Sequence, residues 1–142
     1  MFSTALLMWV VDRSVSFSRL PASLDALSFF GWGLMLCGFA VDVYCLLGFI
    51  RRKTTASPLK PGNASLIISD GFYRFSRNPM YLGMAILLIG WCFVLRNPLC
   101  LLGIPAFVAF INRFQIEPEE RALTDLFGEE YLAYTRRVRR WL

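Results

Sequence analysis

The sequence predicts an all-α integral membrane protein with about four transmembrane helices. The last two form a helical hairpin, and a cytoplasmic C-terminal helical segment follows. Three observations carry this expectation. Hydrophobic residues make up 56% of the 142 and charged residues only 18%, against about 45–50% and about 25% in a typical soluble domain. A globule this short buries only about two thirds of its surface, so it cannot hide that much apolar side chain from water. The apolar residues are gathered into four runs, and Lys and Arg are distributed unevenly around them. The length suits a single membrane domain, 1–142.

The first run extends from Phe2 to about Phe17 and is broken by Asp12 and Arg13. Met1 to Val11 has no basic stretch and no small-residue cleavage site, so no cleaved leader is expected. The second run, Leu27 to Ile50, is long enough to cross the ~30 Å hydrocarbon core with tilt. Gly31, Gly33, Gly38 and Gly48 on it could let helices approach closely. Asp42 sits within it. An ionisable group there faces protein or water, either as a functional group or as a partner of Arg113 or Asn112. The third run, Pro79 to Leu95, and the fourth, Leu99 to about Phe114, are short for independent spans. Arg96-Asn97-Pro98 joins them as a tight turn, hence the hairpin.

Two segments are polar: Arg51 to Asn78, with Pro58, Pro61, Gly62 and Gly71 as breakers, and Glu117 to Leu142. Four crossings put both on the side of the N-terminus. That side carries twelve of the Lys and Arg residues, and the other only Arg13, Arg19 and Arg96. The positive-inside rule then makes the N-terminus and the C-terminal segment cytoplasmic. It also allows the two polar segments to meet.

The net charge of +5 belongs to these membrane flanks, and no nucleic-acid partner is expected. Cys37, Cys45, Cys92 and Cys100 form no C-x-x-C pair and read as small buried hydrophobes. The chain has no histidine, which removes His-ligated metal sites, Ser-His-Asp triads and His general bases. No metal site is expected.

The densest polar feature runs from Asp70 to Gly83. Asp70-Gly71 is a turn signal, and Asn78-Pro79 is a helix cap followed by a residue suited to the first turn. This could be an interfacial helix start with Tyr73 and Tyr81 as aromatic belt residues. Equally, the free N–H groups of that helix start, beside Arg77, suit an anionic carboxylate. After the fourth run, Pro118 should end or kink the helix. Pro118, Glu119 and Glu120 can then form the first turn of a new one, which acidic residues favour. Phe127-Gly128 reads as its stop. Glu129 to Arg140 reads as a short amphipathic helix lying on anionic lipid.

Gly71-x-Tyr73-Arg74-x-x-Arg77-Asn78-Pro79-x-Tyr81-x-Gly83 resembles the signature of the isoprenylcysteine carboxyl methyltransferase family and its bacterial relatives. So does Glu119-Glu120-x-x-Leu123-x-x-x-Phe127-Gly128-x-x-Tyr131-x-x-Tyr134-x-x-Arg137-Val138. The resemblance spans about Ser65 to Val138, and the two motifs together are specific. It implies an all-helical membrane enzyme that transfers a methyl group from S-adenosylmethionine. Residues 1–50 would then be N-terminal spans and 51–142 a cofactor-binding core closed by the C-terminal segment. By resemblance, Ser65, Leu66, Ile67, Ile68, Tyr73, Asn78, Pro79, Met80, Tyr81 and Glu119 line the cofactor.

Given that cofactor, Glu119 suits its ammonium, and Arg77 with the Asn78–Tyr81 helix start suits its carboxylate. Ile67, Ile68 and Tyr73 suit its adenine. Glu120 and Arg113 are assigned to the reaction itself. Two positions depart from the family pattern. Asn78 stands where many members have His, and it cannot titrate near neutral pH. Gln115 stands where eukaryotic members have an Arg that engages the substrate carboxylate, and Arg113 is a candidate replacement. Methyl transfer needs alignment more than acid–base help, and the lack of His favours an acceptor already ionised or deprotonated by water. The expected partners are the bilayer and a lipophilic small-molecule acceptor. A non-catalytic membrane protein with a degenerate pocket and a nicotinamide-dependent membrane reductase are the alternatives.

Overall fold

The computed structural model describes residues 1–14, 25–51 and 67–142, and the regular elements among them are all helical, with no strand among the described residues. The expected cofactor residues Ser65 and Leu66 lie outside them. Six α-helices follow in order: α1 (Phe2–Ser14), α2 (Asp25–Arg51), α3 (Pro79–Leu95), α4 (Gly103–Ile111), α5 (Glu117–Phe127) and α6 (Glu129–Arg137). Short 3-10 turns at Gly71–Arg74 and Pro98–Leu102 lead into α3 and α4.

Among the described residues two helices are long and apolar enough to cross a membrane. One is Ala26–Arg51, with mean hydropathy 2.0, and the other is the continuous helix Pro98–Phe127, with mean hydropathy 1.7. The 17 residues of α3 rise only about 25 Å at about 1.5 Å each. The surface of α2 is apolar on its outside: Phe29 is 76% and Leu36 71% exposed. Side chains of this kind are stable facing lipid and costly facing water.

Of the two outcomes expected at Pro118, an end or a kink, the second long helix excludes the end. Asn112–Ile116 forms a π turn, and the Glu117 N–H donates to the Asn112 carbonyl. Proline offers no N–H and its ring crowds the carbonyl four residues back. A single wide turn just before it absorbs that conflict, and the helix runs on into α5.

Contacts divide the chain into two units, Met1–Ala40 with Gly83–Ala109 and Val41–Leu82 with Phe110–Leu142. In the first unit α2 and α3 approach closely through glycines. A Cβ on Gly31 would lie 2.7 Å from the Gly90 carbonyl oxygen, and one on Gly38 would lie 2.6 Å from that of Gly83. The expectation of close helix approach therefore holds at Gly31 and Gly38. Gly33 has nothing within 4 Å, because it points to another side of the helix.

The same unit ties α1 to the Arg96–Asn97 turn. Arg96 takes a left-handed φ of 54°. Asn97 Oδ1 accepts from the Leu99 N–H at 3.1 Å and caps the following turn, while its Nδ2 donates to Asp12 Oδ1 at 3.4 Å. Asp12, which breaks the first apolar run, is buried. Its neighbour Arg13 stacks over the Trp9 ring at 5.2 Å.

Candidate cofactor site at the start of α3

The site lies wholly within the second unit. Asp70-Gly71 makes the turn its sequence promises, with Gly71 at φ 58°, where a side chain would be strained. The 3-10 turn that follows sets Tyr73, and its backbone carbonyl accepts a 2.7 Å bond from the Tyr134 hydroxyl of α6. Tyr131, Tyr134 and Val138 form a buried cluster on which Ile67, Leu123 and Phe127 pack. Helix α6 is therefore folded against the protein through its tyrosines, while Arg136 and Arg137 stay exposed.

Helix α3 begins at Pro79. Pro79 has no N–H, the Asn78 N–H donates to Ser76 Oγ at 3.1 Å, and the Leu82 N–H takes the Asn78 carbonyl at 3.0 Å. The N–H groups of Met80 and Tyr81 stand outside the helical ladder, as first-turn donors do. Across from them stands α5. The Tyr81 hydroxyl donates to Glu119 Oε2 at 3.2 Å, joining residues 38 apart in sequence. The two polar segments thus meet as expected.

The adjacent carboxylate has different company. Arg77 Nη2 lies 3.0 Å from Glu120 Oε1. Arg140 donates through Nε at 3.2 Å and Nη2 at 2.6 Å to the two Glu120 oxygens. The Glu120 hydrogen bond raises the pKa of Arg140 further above its ordinary value. The backbone of the C-terminal tail joins in: the Arg139 carbonyl accepts from the Arg77 N–H at 2.9 Å. The Arg140 carbonyl accepts from Asn78 Nδ2 at 3.0 Å and Ser76 Oγ at 3.3 Å. Trp141 Nε1 donates to Asn112 Oδ1 at 3.0 Å. Asn78, expected as a helix cap, thus gives its side-chain amide to the tail.

Burial governs the phenols here. It raises Tyr73 well above the ordinary tyrosine range, with Cys45, Glu119, Tyr134 and Tyr81 adding to it. Burial likewise raises Tyr131 and pushes Tyr134 up to about 12, with Arg77 opposing. All three stay protonated and act as neutral hydrogen-bonding groups near pH 7. Beside Tyr73 opens a cavity of about 390 Å³, lined by Tyr44, Cys45, Leu47, Ile68 and Tyr73, with Arg51 and Asp70 among its polar walls. That is within the ~300–1,000 Å³ range of small-molecule sites.

The structure therefore brings Ile67, Ile68, Tyr73, Arg77, Asn78, Pro79, Met80, Tyr81, Glu119 and Glu120 into one unit. Arg113 sits elsewhere on the π turn, exposed and paired with Glu117 at 3.1 Å. Of the two readings of Asp42, the one that pairs it with Arg113 or Asn112 is not seen: its Oδ1 is buried without a hydrogen-bond partner among the described residues, Arg113 pairs with Glu117 and Asn112 receives Trp141. Sequence reasoning missed Ser76, Arg140 and Trp141. Of these, only the basic run ending at Arg140 left a signal, and that signal pointed to lipid.

A family model described as Phospholipid methyltransferase matches residues 26–130. The chain belongs to that family. A protein of Haemophilus influenzae with no assigned function is 46% identical over 63 residues, all of that protein and 44% of this chain. Protein-S-isoprenylcysteine O-methyltransferase of Xenopus laevis is 39% identical over 74 residues, covering 51% of this chain and 25% of that protein. Methanethiol S-methyltransferase 1 of Bradyrhizobium diazoefficiens is 29% identical over 143 residues, covering 96% of this chain and 49% of that protein. The chain thus spans a quarter to a half of the length of these two named relatives. The match to the phospholipid methyltransferase family takes in Tyr73 to Tyr81 and the Glu119-Glu120 pair. Tyr134 and the tail residues Arg139 to Trp141 lie beyond it.

Proposed function

We propose that the protein is a membrane-embedded, S-adenosylmethionine-dependent methyltransferase acting on a lipophilic or small-molecule acceptor. The observation that carries the proposal is the Tyr81–Glu119 bond at the start of α3. It joins a half-buried carboxylate to a helix end with unused N–H donors, a pairing suited to a zwitterionic amino acid. Family membership and the named methyltransferase relatives support the same reading.

The residues present fit the cofactor. Glu119 would hold its ammonium, with Tyr81 fixing the carboxylate's direction. Met80 and Tyr81 N–H groups and the Arg77 guanidinium would take its carboxylate. Ile68 and Tyr73, which also wall the cavity, would take its adenine. When bound, the cofactor supplies an electrophilic methyl group on a sulfonium, transferred in line with a neutral thioether as leaving group. The protein's share of catalysis is then alignment and exclusion of water rather than proton transfer. The raised tyrosine pKa values agree with this, because they leave Tyr73 unable to act as a base at neutral pH.

The relatives' names point to acceptors carrying sulfur or a prenylated cysteine carboxylate. With no histidine in the chain, an acceptor already ionised, or deprotonated by water, suits the site. Arg113, exposed on the π turn, is assigned to an acceptor's negative charge, and Glu120 to the geometry of the acidic pair. Four crossings with cytoplasmic termini would open the site to the aqueous cofactor and the spans to a lipid-soluble acceptor. The test is calorimetric titration of the purified protein with S-adenosylmethionine, together with methyl-labelled transfer in membranes. Wild type should bind, and Glu119→Gln should weaken binding by roughly tenfold or more, as loss of a charge-assisted contact does. Wild type that neither binds the cofactor nor transfers label refutes the proposal.

A further inference from the structure

We infer that Arg140 is a positioning residue of the cofactor site, acting through Glu120. The inference rests on the methyltransferase reading and goes beyond it, since Arg140 lies outside the residues matched to the family. The problem it answers is electrostatic. Glu119 and Glu120 are neighbours in the first turn of α5, and two carboxylates so close compete for any single cation. Here they are sorted. Glu120 is held by two guanidiniums, Arg77 at 3.0 Å and Arg140 through two bonds. Glu119 receives a neutral hydroxyl, that of Tyr81.

The sorting leaves one carboxylate for one ammonium. It also fixes Arg77 next to the α3 start, where a carboxylate would bind. The side chains of Glu120 and Arg140 are 18% and 35% exposed, so solvent only partly screens the pair. Without the Arg140 guanidinium, Glu120 keeps a single cation and competes with Glu119 for the incoming ammonium. The tail itself need not detach, because the Arg140 carbonyl still accepts from Asn78 and Ser76, and Trp141 still reaches Asn112. Side chain and backbone of Arg140 thus have separable roles.

The experiment measures kcat and KM for S-adenosylmethionine in full-length protein in membranes. It compares wild type, Arg140→Ala, Glu120→Gln and the double variant. Arg140→Ala should raise KM about tenfold while kcat changes by less than about threefold. In the Glu120→Gln background, Arg140→Ala should add nothing, because the interaction it removes is already gone. Should Arg140→Ala fail to fold, Arg140→Gln keeps the hydrogen-bonding stem without the charge and should raise KM in the same way. An unchanged KM overturns the inference. So do effects of the two substitutions that simply multiply, since these would make Arg140 a tail anchor independent of Glu120. An inactive wild type that binds no cofactor overturns the methyltransferase reading and this inference with it; an active wild type with an unaltered Arg140 variant overturns this inference alone.

Discussion

The crossing of α2 and α3 gives a prediction whose size follows from the structure. In Gly90→Ala the new Cβ would lie 2.6 Å from the Gly31 carbonyl oxygen, 2.7 Å from Met35 Cγ and 2.9 Å from the Met35 nitrogen. Two of the three are backbone atoms, which cannot swing aside. Restoring ordinary contact would part the helices by about 0.8 Å, and a gap of about 0.5–1 Å forfeits a quarter to a half of the dispersion energy between facing atoms. Where small residues set the helix contact in a membrane, dispersion is a main attraction available. Overpacking of this kind costs about 1–3 kcal/mol, and the better helix propensity of alanine returns up to about 1 kcal/mol. The net loss centres on about 1.5 kcal/mol, or a fall in Tm of roughly 5 °C for a chain of this size. Gly33→Ala is the control, since nothing lies within 4 Å of its Cβ; it should be neutral or stabilising. Thermal unfolding in detergent can be followed with a thiol-reactive dye, because Cys45, Cys92 and Cys100 are buried and Cys37 is exposed. A Gly90→Ala protein that unfolds at the same temperature as Gly33→Ala would refute the close backbone crossing.

Two further predictions concern the docking of α6. Tyr134→Phe removes the 2.7 Å bond to the Tyr73 carbonyl while keeping the ring in its cluster. It should cost about 1 kcal/mol, read as faster amide hydrogen exchange in α6. The same docking should be lost in alkali. Burial raises the Tyr134 pKa from 10.0 to about 12 in the folded protein, so its contribution is fully present below pH 10 and lost as pH rises towards about 12. Stopped pH titration with tyrosinate absorbance at 295 nm should show delayed ionisation followed by release of α6, and ionisation at the unperturbed value would refute a buried Tyr134.

Signals carried by a residue's own chemistry were legible in the sequence. Asp70-Gly71 turns where Gly71 permits a positive φ, Gly128 stops α5 with a φ of 53°, and the run around Leu27 to Ile50 becomes one long apolar helix. The meeting of Tyr81 and Glu119 was legible too, because the expected topology put both motifs on one side of the membrane. Signals that depend on a partner were not. Gly31 and Gly33 look alike in sequence, and only the phase of α3 tells which of them meets a backbone. Pro118 looks like a helix end, and only the π turn ahead of it shows how the helix continues. The tail was the hardest of all. Its grip on Ser76, Arg77 and Asn78 is made by the carbonyls of Arg139 and Arg140, and every residue has a carbonyl.

The same distinction explains what sets the two members of the acidic pair apart. Sequence shows Glu119 and Glu120 as equals at the start of a helix, where either satisfies the macrodipole. What separates them is which cations reach them, and both cations reach Glu120. A carboxylate with two guanidiniums is already neutralised and makes a poor receptor for an ammonium. A half-buried carboxylate that accepts from a phenol and meets no cation among the described residues is poised for one, because burial penalises its charge until a cation arrives. The division of labour therefore follows from Arg77 and Arg140 rather than from the glutamates themselves. On the proposed reading Glu119 binds and Glu120 aligns, and Arg140 takes part through its bonds to Glu120.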